Sequence, residues 1–160
     1  MSKLNILWAD DEIDLLKPHI TFLEQKDYEV LPVISGNDAI EEIIKDDFNI
    51  IFLDEKMPGL SGLETLTAIK KIKPEIPVVM VTKAEDEFLM NDAIGSQISD
   101  YLIKPVNPNQ LWLTVKKLVD HKRLISEKVS SQYLQEFREL SMILNDKLNF
   151  QEWKEVYQKI

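Results

Sequence analysis

The chain opens with an apolar run that ends in two acids, Leu4-Asn5-Ile6-Leu7-Trp8-Ala9-Asp10-Asp11, and a later run ends in a third acid, Ile50-Ile51-Phe52-Leu53-Asp54. Nearly continuous apolar runs are typical of central parallel strands that are covered on both faces. A strand that ends in a carboxylate delivers it to the carboxyl edge of the sheet, where ligands bind in open α/β folds. If the two strands are neighbours, each like-charge pair costs about 4 kcal/mol at about 4 Å and an effective dielectric constant of about 20. We therefore expect a hard divalent cation at this edge, because such ions prefer oxygen ligands.

Three further apolar runs complete a set of five predicted strands; they are residues 30–33, 78–81 and 101–103. The segments between the strands repeat apolar residues at helical spacing, beginning with residues 13–23. This alternation predicts right-handed crossovers and a three-layer α/β sandwich around a parallel sheet. Pro32 cannot donate to a ladder, which places the second strand at an edge. Pro18 predicts a kink or a shifted start in the first helix.

The last third of the chain has a different pattern of apolar residues, with no run typical of a strand over residues 109–160. Helical spacing predicts a fifth helix that begins near Leu111 and runs on to about Ile125. We expect separate helices to follow, one over residues 133–144 and a last short one capped by Asn149. The last forty or so residues therefore form a helical extension of the α/β domain.

Composition narrows the classes of partner. The chain has 160 residues, a net charge of −9 and no cysteine. The acidic balance argues against nucleic acid as a direct partner, because phosphate neutralisation needs a basic face. No apolar stretch approaches the length of a membrane span or a signal segment. We expect a cytoplasmic protein without a membrane partner.

Two more functional groups follow predicted strands, Thr82 after the fourth and Lys104 after the fifth. In a parallel sheet they lie on the same edge as the three acids. Asp11 and Asp54 could bind Mg²⁺ directly, with Asp10 acting partly through metal-bound water. Such a site suits a carboxylate that accepts a phosphoryl group, since that transfer needs positioning and charge neutralisation.

At these residues the chain resembles the response regulator receiver family of bacterial two-component systems. The shared motifs are Asp10-Asp11, Leu53-Asp54-Glu55-Lys56-Met57-Pro58-Gly59 followed by Gly62, Thr82, and Lys104-Pro105. The resemblance covers about residues 3–122 and implies a flavodoxin-like (βα)5 fold with strand order 2-1-3-4-5. It also implies that a partner histidine kinase phosphorylates Asp54. By the same resemblance, Asp10, Asp11, Asp54 and the backbone carbonyl of Lys56 bind Mg²⁺ or Mn²⁺.

The resemblance further implies a switch. Thr82 would move toward the phosphoryl group and Tyr101 would rotate into the vacated space. The Lys104–Pro105 peptide would be cis. The face made by the fourth helix, fifth strand and fifth helix would then change and control an output domain or partner, or allow a homodimer to form. Because residues 85–92 contain no basic residue, we do not expect the charge-paired dimer of DNA-binding relatives.

The whole chain is still more similar to PorX-type regulators of Bacteroidetes. The shared phrases lie at residues 54–59, 93–96, 104–110 and 123–128. This similarity implies a receiver domain over residues 1–122 and a helical linker over residues 123–160. The linker would be the start of a helical bundle leading to a PglZ-type output domain that this chain lacks.

Two lysines depart from the usual receiver pattern, Lys56 two residues after Asp54 and Lys83 directly after Thr82. We expect them to alter the lifetime of the phosphoryl group. His19 and His121 are interpreted as surface or packing residues. Two alternatives stay open: a Mg²⁺-dependent phosphohydrolase with an aspartate nucleophile, and a pseudo-receiver that acts without phosphorylation. The separation of Asp54 from the adjacent pair Asp10-Asp11 favours a receiver, a signalling protein rather than an enzyme.

Overall fold

A computed structural model describes residues 3–91 and 97–144 of the chain. Its sheet has five parallel strands in the order β2-β1-β3-β4-β5, which confirms the predicted flavodoxin-like fold. The strands are β1 (Leu4–Ala9), β2 (Tyr28–Val33), β3 (Ile50–Leu53), β4 (Val78–Thr82) and β5 (Asp100–Ile103). The helices are α1 (Lys17–Gln25), α2 (Gly36–Lys45), α3 (Gly62–Ile72), α4 (Glu87–Asn91) and α5 (Pro108–Leu144). Short 3-10 turns precede α1 at Ile13–Leu16 and α4 at Ala84–Asp86.

Successive side chains of each strand point to opposite faces of the sheet and pack into two separate apolar layers. On one face, Ile6 and Trp8 pack with residues of α1 and α5 such as Leu23 and Leu111. On the other face, strand residues such as Leu7 pack with the second, third and fourth helices. Both faces of β1, β3 and β4 are thus covered, which explains why these strands read as continuous apolar runs.

The strand register brings the predicted site residues to one edge. Ala9 pairs with Leu53, and Thr82 pairs with Ile103. The residue after each of these strands therefore projects from the same end of the sheet. The edge position predicted for the second strand from Pro32 is confirmed, although β2 begins at Tyr28, two residues earlier than expected.

Of two predictions about helix boundaries, one is confirmed and one is wrong. Pro18 lies in the first turn of α1, after a 3-10 turn, so the predicted shifted start of the helix is confirmed. The predicted break before residue 133 is wrong, because α5 continues through 37 residues to Leu144. No glycine or proline interrupts residues 109–144, so nothing in that stretch ends the helix. The last predicted helix and its Asn149 cap lie outside the described residues.

The chain divides into two compact units, residues 1–119 and residues 120–160. The sheet and its motifs all belong to the first unit. Among the described residues, no helix combines the length and the apolar character that a membrane span requires.

Candidate phosphoryl and metal site

Three carboxylates meet at the carboxyl edge of the sheet. One oxygen each of Asp10, Asp11 and Asp54 lies within 4.8 Å of the other two. The backbone holds two of these residues in place, since Asp10 N donates to the Val33 carbonyl and Asp54 N to the Ala9 carbonyl, both at 3.0 Å. Asp10 and Asp54 are buried and Asp11 is exposed. The arrangement offers hard oxygen ligands that face solvent on one side, as a Mg²⁺ site requires.

Lys104 supplies the positive charge of this cluster. Its Nζ lies 2.6 Å from Asp10 Oδ2 and 3.3 Å from Asp54 Oδ2. Its backbone N–H donates to the Thr82 carbonyl at 2.8 Å, which ties the end of β5 to the end of β4. The peptide bond between Lys104 and Pro105 is cis. Lys104 thus contacts the proposed phosphoryl acceptor directly.

Burial and a neighbouring acid both disfavour the ionised form of Asp54, as the direction of its pKa shift reflects. Burial first, and the neighbouring Asp10 charge second, raise the pKa of Asp54 from 3.8 to about 6, although Lys104 acts to lower it. Burial lowers the pKa of Lys104, but its contacts with Asp10 and Asp54 outweigh that effect and raise it overall. A second cation near the cluster would therefore stabilise the ionised form of Asp54 and lower its pKa.

Thr82 ends β4 with a fully buried side chain whose hydroxyl oxygen has no hydrogen-bond partner among the described residues. Buried hydroxyls are nearly always hydrogen-bonded. An unpaired one at the edge of an acidic cluster is suited to an incoming oxygen ligand.

Tyr101, the predicted switch aromatic, is half-buried in β5 and donates its hydroxyl proton to Glu87 Oε1 on α4 at 3.1 Å. That hydrogen bond, more than burial, raises the pKa of the Tyr101 hydroxyl. The ring is therefore tied to α4 in this state.

The two unusual lysines both contact acids. Lys56 Nζ lies 3.3 Å from Glu85 Oε1 and 3.5 Å from Asp86 Oδ1. Lys83 Nζ lies 3.8 Å from Glu12 Oε1. Both lysine side chains are exposed at the rim of the site, and neither pairs with Asp54.

The structure also assigns roles to two residues that the sequence analysis quoted in a motif but gave no role of their own, Gly62 and Glu55. Gly62 opens α3 so close to Asp54 that a Cβ there would lie 2.3 Å from the Asp54 carbonyl oxygen. Glu55 is buried, and burial is the main cause of its raised pKa. The signals available in the sequence were the Ser61-x-x-Glu64 capping box, which marks the start of α3, and the acid directly after Asp54.

His19 is a packing residue in the structure, as interpreted. Its Nε2 lies 2.6 Å from the Val106 carbonyl oxygen, and its ring meets Trp8 edge-on. His121 is exposed.

Comparison with known families agrees with this geometry. Residues 6–116 match the family model of the response regulator receiver domain. Residues 123–160 match that of the PorX response regulator linker domain.

Two curated relatives illustrate the extent of the similarity. The transcriptional regulatory protein ZraR of Klebsiella oxytoca is 32% identical over 132 residues, which cover 80% of this chain and 29% of ZraR. The transcriptional regulatory protein ResD of Bacillus subtilis is 29% identical over 118 residues, which cover 74% of this chain and 49% of ResD. The chain thus spans half or less of the length of these relatives.

Solved structures share the fold. A receiver domain protein from Clostridium thermocellum has a TM-score of 0.71 and 30% identity, covering 76% of this chain and 98% of its own. The response regulator TrrA of Thermotoga maritima, solved in complex with Mg(2+)-BeF, has a TM-score of 0.64 and 27% identity, covering 72% of this chain and 98% of its own.

Proposed function

Because the chain belongs to the response regulator receiver family, we propose that it is a phospho-accepting signalling module in which Asp54 receives the phosphoryl group. The observation that carries this proposal is the immediate environment of Asp54. The carboxylate is buried beside Asp10, contacts the Lys104 ammonium at 3.3 Å and shares its sheet edge with the unpaired hydroxyl of Thr82. These are the groups that phosphoryl transfer to a carboxylate needs.

In the proposed reaction, a carboxylate oxygen of Asp54 attacks the phosphorus of a phosphohistidine on a partner histidine kinase. The new P–O bond forms as the P–N bond breaks, and the electron pair of that bond passes to the imidazole nitrogen. Lys104 neutralises charge on the phosphoryl oxygens, and Thr82 donates its hydroxyl proton to one of them. The 3.3 Å contact between Lys104 and Asp54 supports this role for the lysine.

The residues present fit a divalent cation. Three carboxylate oxygens within 4.8 Å of one another form a hard, oxygen-only set. We propose that Asp11 and Asp54, the backbone carbonyl of Lys56, and Asp10 partly through water would hold Mg²⁺ or Mn²⁺. The ion would supply charge neutralisation for the acids and the phosphoryl group. The complex of TrrA with Mg(2+)-BeF supports this assignment.

The proposed output step is a shift between two packed states. Thr82 would turn toward the phosphoryl group, and Tyr101 would leave Glu87 and rotate inward. The hydrogen bond between Tyr101 and Glu87 supports a coupling to α4, because it joins β5 to that helix and would be lost when Tyr101 rotates. The changed face would act on an output domain beyond the linker, on a partner protein or on a second copy. Phe88, exposed on the acidic α4, offers an apolar contact for such a copy.

We also propose that Lys56 and Lys83 set the lifetime of the phosphoryl group, since both ammonium groups lie at the rim of the site. Dephosphorylation rates of the wild type, Lys56→Asn and Lys83→Ala measure this effect. Equal dephosphorylation rates in all three proteins would contradict this proposal. The cytoplasmic location and the absence of direct nucleic-acid contact stay predictions.

The deciding experiment is phosphoryl uptake from a small-molecule donor with Mg²⁺, followed by intact mass, on the wild type and Asp54→Ala. We expect one phosphoryl group on the wild type and none on the variant. Elution volume measured in parallel reports dimerisation. No uptake by either protein would indicate a pseudo-receiver, and continuous phosphate release with turnover would indicate a phosphohydrolase.

A further inference from the structure

Glu55, the residue directly after Asp54, makes three hydrogen bonds that connect the site to the start of α3. Its N–H donates to Asp54 Oδ1 at 2.8 Å. Its carbonyl accepts from Gly62 N at 2.8 Å, and its carboxylate Oε2 accepts from Leu63 N at 3.0 Å. The side chain is buried, with 7% exposure. One residue therefore contacts both the phosphoryl acceptor and a helix that begins seven residues later.

The first backbone N–H groups of a helix have no partner within the helix. At the start of α3, the solvent-facing groups are satisfied by a capping box: Glu64 Oε1 accepts from Ser61 N, and Ser61 Oγ accepts from Glu64 N. The two groups between them, on Gly62 and Leu63, both donate to Glu55. The helix end is thus capped twice, once by the capping box and once by the backbone carbonyl and the buried carboxylate of Glu55.

These bonds close the segment between residues 55 and 62 into a loop with both ends fixed. Gly62 packs against the Asp54 backbone without room for a Cβ, so the start of α3 lies directly against the phosphoryl acceptor. Lys56, whose carbonyl is the proposed backbone ligand of the metal ion, lies inside this loop. Its orientation therefore depends on how firmly the loop is anchored to α3.

We propose that Glu55 is a positioning residue for the metal and phosphoryl site. Its carboxylate, bonded to Leu63 N, reinforces the two backbone bonds of the same residue and so holds Asp54 and the Lys56 carbonyl in place. This inference rests on the proposed function, since it concerns the same site. It assigns Glu55 no contact with the ion or the phosphoryl group. Residues that orient metal ligands commonly change metal affinity strongly when they are replaced.

The test compares wild type, Glu55→Ala, Glu55→Gln and a matched control, Glu64→Ala, in the full chain. Glu55→Gln keeps a side-chain acceptor for Leu63 N and removes the charge. Glu64→Ala removes a cap from the same helix end, but Glu64 is exposed and bonds only within the capping box among the described residues. For each protein we would measure the dissociation constant for Mg²⁺ by calorimetry, the rate of phosphoryl uptake at saturating Mg²⁺, and the midpoint of urea unfolding.

We expect Glu55→Ala to weaken Mg²⁺ binding by roughly tenfold and to slow phosphoryl uptake. Glu55→Gln should stay within about threefold of the wild type, because the hydrogen bond is retained. Glu64→Ala should also lower the unfolding midpoint, because it removes a cap from the same helix end, but it should leave Mg²⁺ binding unchanged.

Equal Mg²⁺ affinities for Glu55→Ala and Glu64→Ala would overturn the proposal, since the residue would then only stabilise the helix. Equal losses in Glu55→Ala and Glu55→Gln would overturn it too, because charge rather than hydrogen bonding would be responsible. A wild type that takes up neither Mg²⁺ nor phosphoryl would instead refute the proposed function.

Discussion

Replacing Asp54 with asparagine should stabilise the metal-free protein above about pH 6. The wild-type carboxylate is only 4% exposed and lies in a cluster with an excess of negative charge. Asparagine has nearly the same shape and keeps an oxygen that can accept from Glu55 N. Lys104 retains its shorter contact, with Asp10 at 2.6 Å. The substitution therefore removes the cost of an ionised group with little change in packing.

The sign and size follow from the raised pKa of Asp54, about 6 in the folded protein against an ordinary 3.8. Below about pH 4 the carboxyl is protonated in both the folded and the unfolded state. Between about pH 4 and pH 6 the folded state keeps a proton that the unfolded state has released, so the free energy of unfolding falls as the pH rises. Above that range the full difference applies, about 3 kcal/mol at 1.36 kcal/mol per pKa unit.

The assay is urea unfolding of both proteins in a metal chelator from about pH 4 to about pH 8, analysed by linear extrapolation. The wild type should lose stability relative to Asp54→Asn as the pH rises. Asp47→Asn is the control of opposite sign, because a hydrogen bond from Lys73 lowers the pKa of Asp47. Parallel curves for wild type and Asp54→Asn would refute the reasoning, since Lys104 would then neutralise Asp54 fully. Added Mg²⁺ at high pH should stabilise the wild type more than the variant.

Three further substitutions test other parts of the site. Thr82→Val should leave the unphosphorylated protein as stable or up to about 1 kcal/mol more stable in urea, because it removes a buried unpaired hydroxyl, and should abolish any phosphorylation-dependent change in elution volume. Lys104→Met should lower the free energy of unfolding by about 3 kcal/mol at high pH and by less near pH 5, where Asp54 takes up a proton. Gly62→Ala should cost about 1–3 kcal/mol in the same measurement, since its Cβ would overlap the Asp54 carbonyl oxygen.

The carboxylate cluster was predictable because it depends on strand direction rather than on side-chain detail. Once Leu4–Ala9 and Ile50–Leu53 are parallel neighbours, the residues that follow them must share an edge. Pro32 placed the edge strand for a similarly local reason, the missing backbone donor. The family motifs supplied the strand order, which apolar patterning alone does not fix.

The contacts of Glu55 and Lys56 could not be predicted in the same way. Lys56 pairs with Glu85 and Asp86, which lie about thirty residues away on the turn after β4, and no sequence pattern links the two loops. The partners of Glu55 depend on the tight approach of Gly62 to Asp54, a distance that only the folded backbone determines. The end of α5 was predicted too early. Helical spacing alone does not locate the end of a helix where no glycine or proline interrupts the sequence.

Charge balance connects the proposed metal site to the proposed role of Lys56. The site has three ionised carboxylates, on Asp10, Asp11 and Asp54, and one ammonium group, on Lys104. This leaves two excess negative charges, which one divalent ion would balance. Phosphorylation would replace the single charge of the Asp54 carboxylate by about −1.5 to −2 on the phosphoryl group, so the site would gain up to about one negative charge. Lys56 is a nearby cation, and its contact with the exposed Glu85 is weak because water and salt screen surface ion pairs. Asp86, in contrast, is buried and would lose its cation if Lys56 turned inward. That cost opposes neutralisation of the phosphoryl group by Lys56, so Asp86→Asn should change the dephosphorylation rate only while Lys56 is present.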